Sequence, residues 1–163
     1  MTRQEYEDVI CLGGHVVRVS QSVPDSATAL AEADLHVDGA PVHTWTFPSW
    51  QRLRWGVHQQ GLKLLIWTAR ELRIVDIAAR RAVVAYRSNE DLKFVHFLRE
   101  QMVLICETSV RLTTDRGEET ARLEVPEVVV DAWVEGDRLY LRDQEGAVLN
   151  ASVHDGTLVG SPR

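Results

Sequence analysis

Leu62-Lys-Leu-Leu-Ile-Trp67, Leu72-Arg-Ile-Val-Asp-Ile77 and Ala82-Val-Val-Ala-Tyr86 are three short apolar runs within residues 62–86. Leu53-Arg-Trp-Gly-Val-His58 precedes them, separated by the turn Gln59-Gln-Gly61. The same four-run pattern is written again at Leu92–Leu98, Met102–Cys106, Val110–Thr114 and Thr120–Val125. The matching third runs start at Leu72 and Val110, 38 residues apart. A shorter third copy has runs at Val128–Val134, Leu139–Arg142 and Ala147–Val153. Short runs with turn residues between them predict β-strands and hairpins. Within Leu72–Ile77, Arg73 and Asp76 fit outward positions while the apolar residues fill a core, and Lys63, Arg111 and Arg138 fit similar outward slots.

Working outward, residues 1–51 do not repeat so cleanly. Val9-Ile-Cys-Leu and His15-Val-Val-Arg-Val flank Gly13-Gly14, which predicts two strands and a tight turn. That glycine pair lacks the spacing of a phosphate loop. Ala27–Val37 reads as a strand in preference to a short helix. Asp38-Gly-Ala-Pro41 reads as a four-residue turn, which would set His36 across from His43. Such a pair needs a third ligand before it holds a metal, and the sequence offers none. Beyond Val159 the chain is expected to fray. Cys11 and Cys106 both sit in apolar runs and read as small buried hydrophobes.

Tandem units of four short antiparallel strands, about 37 residues each, resemble β-propeller blades. The resemblance covers residues 52–160 and is to an architecture: the Gly-His and Trp-Asp signatures of WD40 blades, the double glycines of kelch blades and Asp-rich calcium loops are absent. The expected fold is all-β, one domain over 1–163, with N-terminal hairpins in 1–51 and repeats in 52–160. It is built of tandem antiparallel meanders as a small or partial propeller. A two-sheet sandwich is the alternative.

Composition is that of an ordinary globular protein, 45% apolar and 26% charged. No run approaches the roughly 20 apolar residues of a membrane helix, and Met1–Asp8 lacks the apolar core of a secretory signal. Cytoplasmic residence, without a membrane partner, is the expectation. The net charge of −6 is unevenly spread: −5 over 1–51, +6 over 52–87 and −7 over 88–163. Such asymmetry points to a partner surface, although the middle third also suits neutralisation by its acidic neighbours.

Chemistry is harder to find. The six histidines form no HExxH pair, and no GxSxG elbow occurs. The late acids, from Asp115, Glu118 and Glu119 to Glu127, Asp131, Glu135 and Asp137, fall at turns and outward positions. No catalytic residue, metal ligand or cofactor is expected. The candidate partner-binding residues are Trp50, Arg52, Arg54, Trp55, Arg73, Arg80 and Arg81, because a basic patch on an acidic chain suits an acidic protein partner, or the acidic C-terminal third of another copy. Overall acidity argues against nucleic acid. The expected function is a non-catalytic protein-interaction module: a subunit or adaptor of a larger assembly, or an immunity-type inhibitor. A second copy of the chain is the other candidate partner. A carbohydrate or small-ligand binder using the Trp-rich segment, and an enzyme on a β scaffold, are the alternatives.

Overall fold

The computed structural model describes residues 2–58, 62–98, 101–114, 116–154 and 157–162. They form sixteen strands in four antiparallel sheets, each a meander of four consecutive strands. Sheet 1 holds β1 (Arg3–Leu12), β2 (His15–Pro24), β3 (Leu30–Val37) and β4 (Ala40–Pro48). Sheet 2 holds β5 (Arg54–Val57), β6 (Lys63–Trp67), β7 (Glu71–Asp76) and β8 (Arg81–Arg87). Sheet 3 holds β9 (Leu92–Leu98), β10 (Gln101–Cys106), β11 (Ser109–Thr113) and β12 (Glu119–Glu124). Sheet 4 holds β13 (Val129–Glu135), β14 (Arg138–Asp143), β15 (Val148–His154) and β16 (Thr157–Pro162). The architecture is all-β and propeller-like: four blade-type meanders in tandem. Among the described residues no helix is long and apolar enough to cross a membrane.

The strands of 52–153 follow the repeat. The ends differ from expectation. Residues 3–48 form a full four-stranded meander, with longer strands than the later copies. The third copy is not short, because β16 completes it where fraying was expected. The hairpin after Val37 turns on two residues, since Asp38 (φ 50°) and Gly39 (φ 78°) are both left-handed and Val37 pairs with Ala40. Asp-Gly favours this turn because its twist matches that of the strands. A register shift then sets His36 across from Pro41 and Leu35 across from His43. The two histidines are therefore not a cross-strand pair. The turns at Gln59–Gly61 and Asp155–Gly156, and Asp115, lie outside the described residues.

The chain falls into two compact units, Met1–Thr68 with Leu72–Val84, and Ala69–Glu71 with Ala85–Arg163. In the first, alternate residues of sheet 1 (Val17, Val19, Ala31, Ala33, Leu35, Val37, Trp45 and Phe47) cluster with Leu53, Leu64, Ile66, Val75 and Ile77. In the second, Leu98, Val103, Ile105, Val110 and Leu112 cluster with Val129, Ala132, Leu139, Leu141, Ala151 and Leu158. Each fully buried aliphatic chain stabilises its unit by about 1.5–3 kcal/mol. In the second unit β13 lies beside β9 and β16 beside β12, first strand to first and fourth to fourth. His96 on β9 is tied to the Ala132 carbonyl on β13, with Nε2 at 3.1 Å.

Both cysteines are free, but only Cys106 is buried. Cys11 pairs with Val16, and both belong to the exposed face of sheet 1. The apolar neighbours that suggested burial, Ile10 and Leu12, point the other way, into the core.

Candidate partner-binding surface

The seven sequence candidates do not form one patch. Trp50, Arg52, Arg54 and Trp55 belong to the β4–β5 connection and the start of β5. Arg54 pairs with Trp67 on β6, which pairs with Leu72 at the start of β7. Arg80 and Arg81 follow the far end of β7, so they occupy the opposite end of sheet 2. Arg73 lies mid-strand across from Ile66, a core residue, and is half-buried.

Of the five tryptophans, Trp45 and Trp67 are buried and belong to the core. Trp55 packs partly against it and donates its indole N–H to Asp8 Oδ2 at 2.9 Å. Trp50 alone of the five is largely exposed, at 56%. Arg52 lies over the Tyr6 ring, 5.7 Å from its centroid. Arg80 (φ 49°) joins a surface cluster with Asp38, donating from Nη2 to Oδ2 at 3.3 Å. The same carboxylate accepts from the Val16 N–H at 3.0 Å and meets His15 Nδ1 at 2.8 Å. The His15 bond, then the Val16 bond, hold the Asp38 carboxyl below its usual range.

Beside these residues runs a cleft of about 410 Å³ lined by Glu5, Tyr6, Glu7, Asp8, Gln21, Arg52 and Leu53. Its floor is braced by the buried Gln21, whose amide donates to the Leu53 carbonyl and accepts from the Leu53 N–H, both at 3.1 Å. Four consecutive β1 residues line it, so the cleft follows the strand. The sequence signal was Arg3-Gln-Glu-Tyr-Glu-Asp8, a wholly polar start that gives no hydrophobic alternation to mark a strand.

In the second unit, one cationic position differs from its expected outward slot. The Arg111 side chain is only 5% exposed. Nη2 donates to Glu90 Oε1 at 2.6 Å and to Asn89 Oδ1 at 3.0 Å, Nε donates to Ser109 Oγ at 3.2 Å, and Nη1 donates to the Tyr86 hydroxyl. Glu119 lies 3.6 Å from Nη1. Every residue of β11 is buried, so alternation gives no solvent face there. Burial alone would raise the Glu90 carboxyl, but the hydrogen bonds from Arg111 and Ser109 outweigh it and hold it below its usual value. Burial also raises the Tyr86 hydroxyl and the Cys106 thiol. The hydrogen bonds from Arg111 tie the 86–90 segment to β11.

On sheet 4, Trp133 stacks on Tyr140, with centroids 5.4 Å apart, and Arg142 covers Trp133 at 5.3 Å. Among the described residues no group of three His, Cys, Asp or Glu side chains is placed to hold a metal ion.

No family model and no curated protein matches the chain. Among solved structures it is similar to one described as the crystal structure of HIRA(644-1017), with a TM-score of 0.47 and 8% identity over 91% of this chain. The match takes in 50% of that structure, so this chain spans about half its length.

Proposed function

We propose that the chain is a non-catalytic protein-interaction module, a subunit or adaptor that uses the β4–β5 end of its first unit. The observation that carries this is the exposed indole of Trp50, two residues before Arg52 and four before Arg54. A large aromatic left in water costs solvation that a partner pocket recovers, and arginines at its rim add direction. The carbohydrate reading is weaker, because Trp45 and Trp67 are core and the Trp55 N–H is already bonded. An immunity-type inhibitor would instead use the exposed acids Glu124, Glu135, Asp137 and Glu145 of the second unit against a basic partner. Steering by complementary charge would then speed capture.

The test compares affinity capture from the source cells by the wild-type chain, Trp50→Ala and a Glu135→Lys/Asp137→Lys double variant. Loss of the captured protein with Trp50→Ala, at unchanged thermal midpoint, supports the β4–β5 surface. Loss only with the charge reversals moves the site to the acidic face. Capture unaffected by either overturns both readings.

A further inference from the structure

We propose that β1 is an acceptor strand: its open edge takes up an extended segment of a partner protein that carries basic residues at alternate positions. This rests on the reading of the chain as an interaction module, but on the adjoining β1 edge, whose cleft takes in Arg52 and not Trp50.

The outer edge of a sheet presents unpaired N–H and C=O groups, and proteins normally blunt it. The other edges here show such devices. β4 carries Pro41 and Pro48 and a register shift. β5 has four residues. β12 is register-shifted against β11 and lies beside β16, and β9 lies beside β13. β8 is approached at Ala85 by the Gly117 turn so closely that a Cβ on Gly117 would come within 1.5 Å of the Ala85 carbonyl oxygen. Among the described residues β1 has no proline, no register shift and no paired neighbour on its outer side; the side chains of Trp55 and Arg52 reach it at Asp8 and Tyr6. It pairs with β2 over ten residues in unbroken register, contains no proline, glycine or lysine, and is exposed from Arg3 to Val9. Room for a neighbour exists, because the cleft of about 410 Å³ runs along Glu5–Asp8.

The side chains select the occupant. Ile10 and Leu12 belong to the core, so Tyr6 and Asp8 share their face and Glu5 and Glu7 share the other. An added strand would set alternate residues opposite Glu5, which accepts from Ser22 at 2.7 Å, and Glu7, which meets Arg18 at 3.6 Å; both remain exposed, so basic side chains are favoured there and acidic ones repelled. Its remaining residues would face Tyr6 and Asp8, beside Arg52 in the cleft. Antiparallel pairing of β1 with β1 of a second copy, centred on Tyr6, would set Glu5 against Glu7 twice. The edge therefore disfavours self-pairing and favours a basic strand.

The experiment is an anisotropy titration of the full chain with a blocked, labelled seven-residue peptide alternating lysine and valine. Two further versions carry backbone N-methyl groups at every lysine or at every valine. Alternate amides of a strand point to opposite edges, so one methylated version loses binding tenfold or more and the other keeps it. A glutamate–valine peptide does not bind, and Glu5→Lys/Glu7→Lys weakens the lysine–valine peptide at least tenfold. The milder Glu7→Gln weakens it less and guards against loss of fold. Equal binding by both methylated versions would reduce the contact to charge alone and overturn the proposal, as would no binding up to about 1 mM peptide, a standard free energy weaker than about −4 kcal/mol. Trp50→Ala keeps peptide binding. Failure of the peptide while Trp50→Ala still loses its captured partner would sink this inference and leave the interaction module standing.

Discussion

At Arg111 a single side chain closes five contacts, and the balance of burial against pairing decides what its loss costs. Removing one member of a buried ion pair leaves the other uncompensated, which costs about 3–5 kcal/mol. Glu90 keeps 19% of its side chain exposed and retains Arg122 at 3.0 Å. The lower end, about 3 kcal/mol, is therefore expected for Arg111→Met, read from urea unfolding midpoints at constant slope. The pH response follows from Glu90. Its folded pKa lies below the ordinary 4.5, so its contribution is complete above about that pH and is lost as pH falls through the folded value. Acid unfolding followed by circular dichroism should be shallower between about pH 5 and 3 in Glu90→Gln than in wild type. An equal slope would mean that the carboxylate is not held by the network. Nothing in the sequence marked this residue: strand alternation placed Arg111 outward, and that rule fails where both faces of a strand are covered.

Strands and turns carry the next level of argument. Gly117 has φ 80° and no space for a Cβ. Alanine there meets both a left-handed backbone and the Ala85 carbonyl, so Gly117→Ala should destabilise by more than the roughly 1 kcal/mol of conformational preference alone. Gly136, with φ 59° and open space around it, should tolerate alanine better. Thermal midpoints of the two variants make the comparison. Hydrogen exchange should grade the strands as burial does: β10 and β11, buried along almost their whole length, slowest, and β1 among the fastest. Fast exchange in β11 would contradict the packing described. The same grading explains what could be read beforehand. The repeats from Leu53 to Val153 were legible because alternation or continuous apolar runs mark half-buried and buried strands. Arg3–Asp8 was not, because a strand exposed on both faces and along its edge has no hydrophobic period to show. The Asp38–Gly39 turn was legible in composition and misjudged in length, since one residue of slip changes every cross-strand pair. That slip is what suggested His36 opposite His43. Trp50 was legible from its polar neighbours, Pro48-Ser49 before it and Gln51-Arg52 after it.

For the molecule as a whole, the +6 segment of residues 52–87 asks whether the chain binds itself. Part of that charge is already engaged inside each unit. In the first, Arg80 meets Asp38. In the second, Arg70 meets Asp91 at 3.1 Å and Arg87 meets Glu71 at 3.5 Å. The exposed Arg52 and Arg81 must then compete with a net −6 chain whose longest open edge carries Glu5, Glu7 and Asp8. Copies of like net charge repel at low ionic strength, where screening is weakest. Light scattering at pH 7.5 should therefore give the mass of one chain, 18.4 kDa, both at about 20 mM and at about 500 mM salt, across Debye lengths of about 20 Å and about 4 Å. A dimer present only at low salt would show that arginines such as Arg52 and Arg81 meet acids of another copy, and the partner surface would then be filled by the chain itself. A dimer indifferent to salt would instead direct attention to apolar contact through the exposed Val9, Val16, Val130 and Val159. Mass at two salt concentrations thus separates a monomer from two kinds of dimer, because attraction between opposite charges weakens with salt and apolar burial does not.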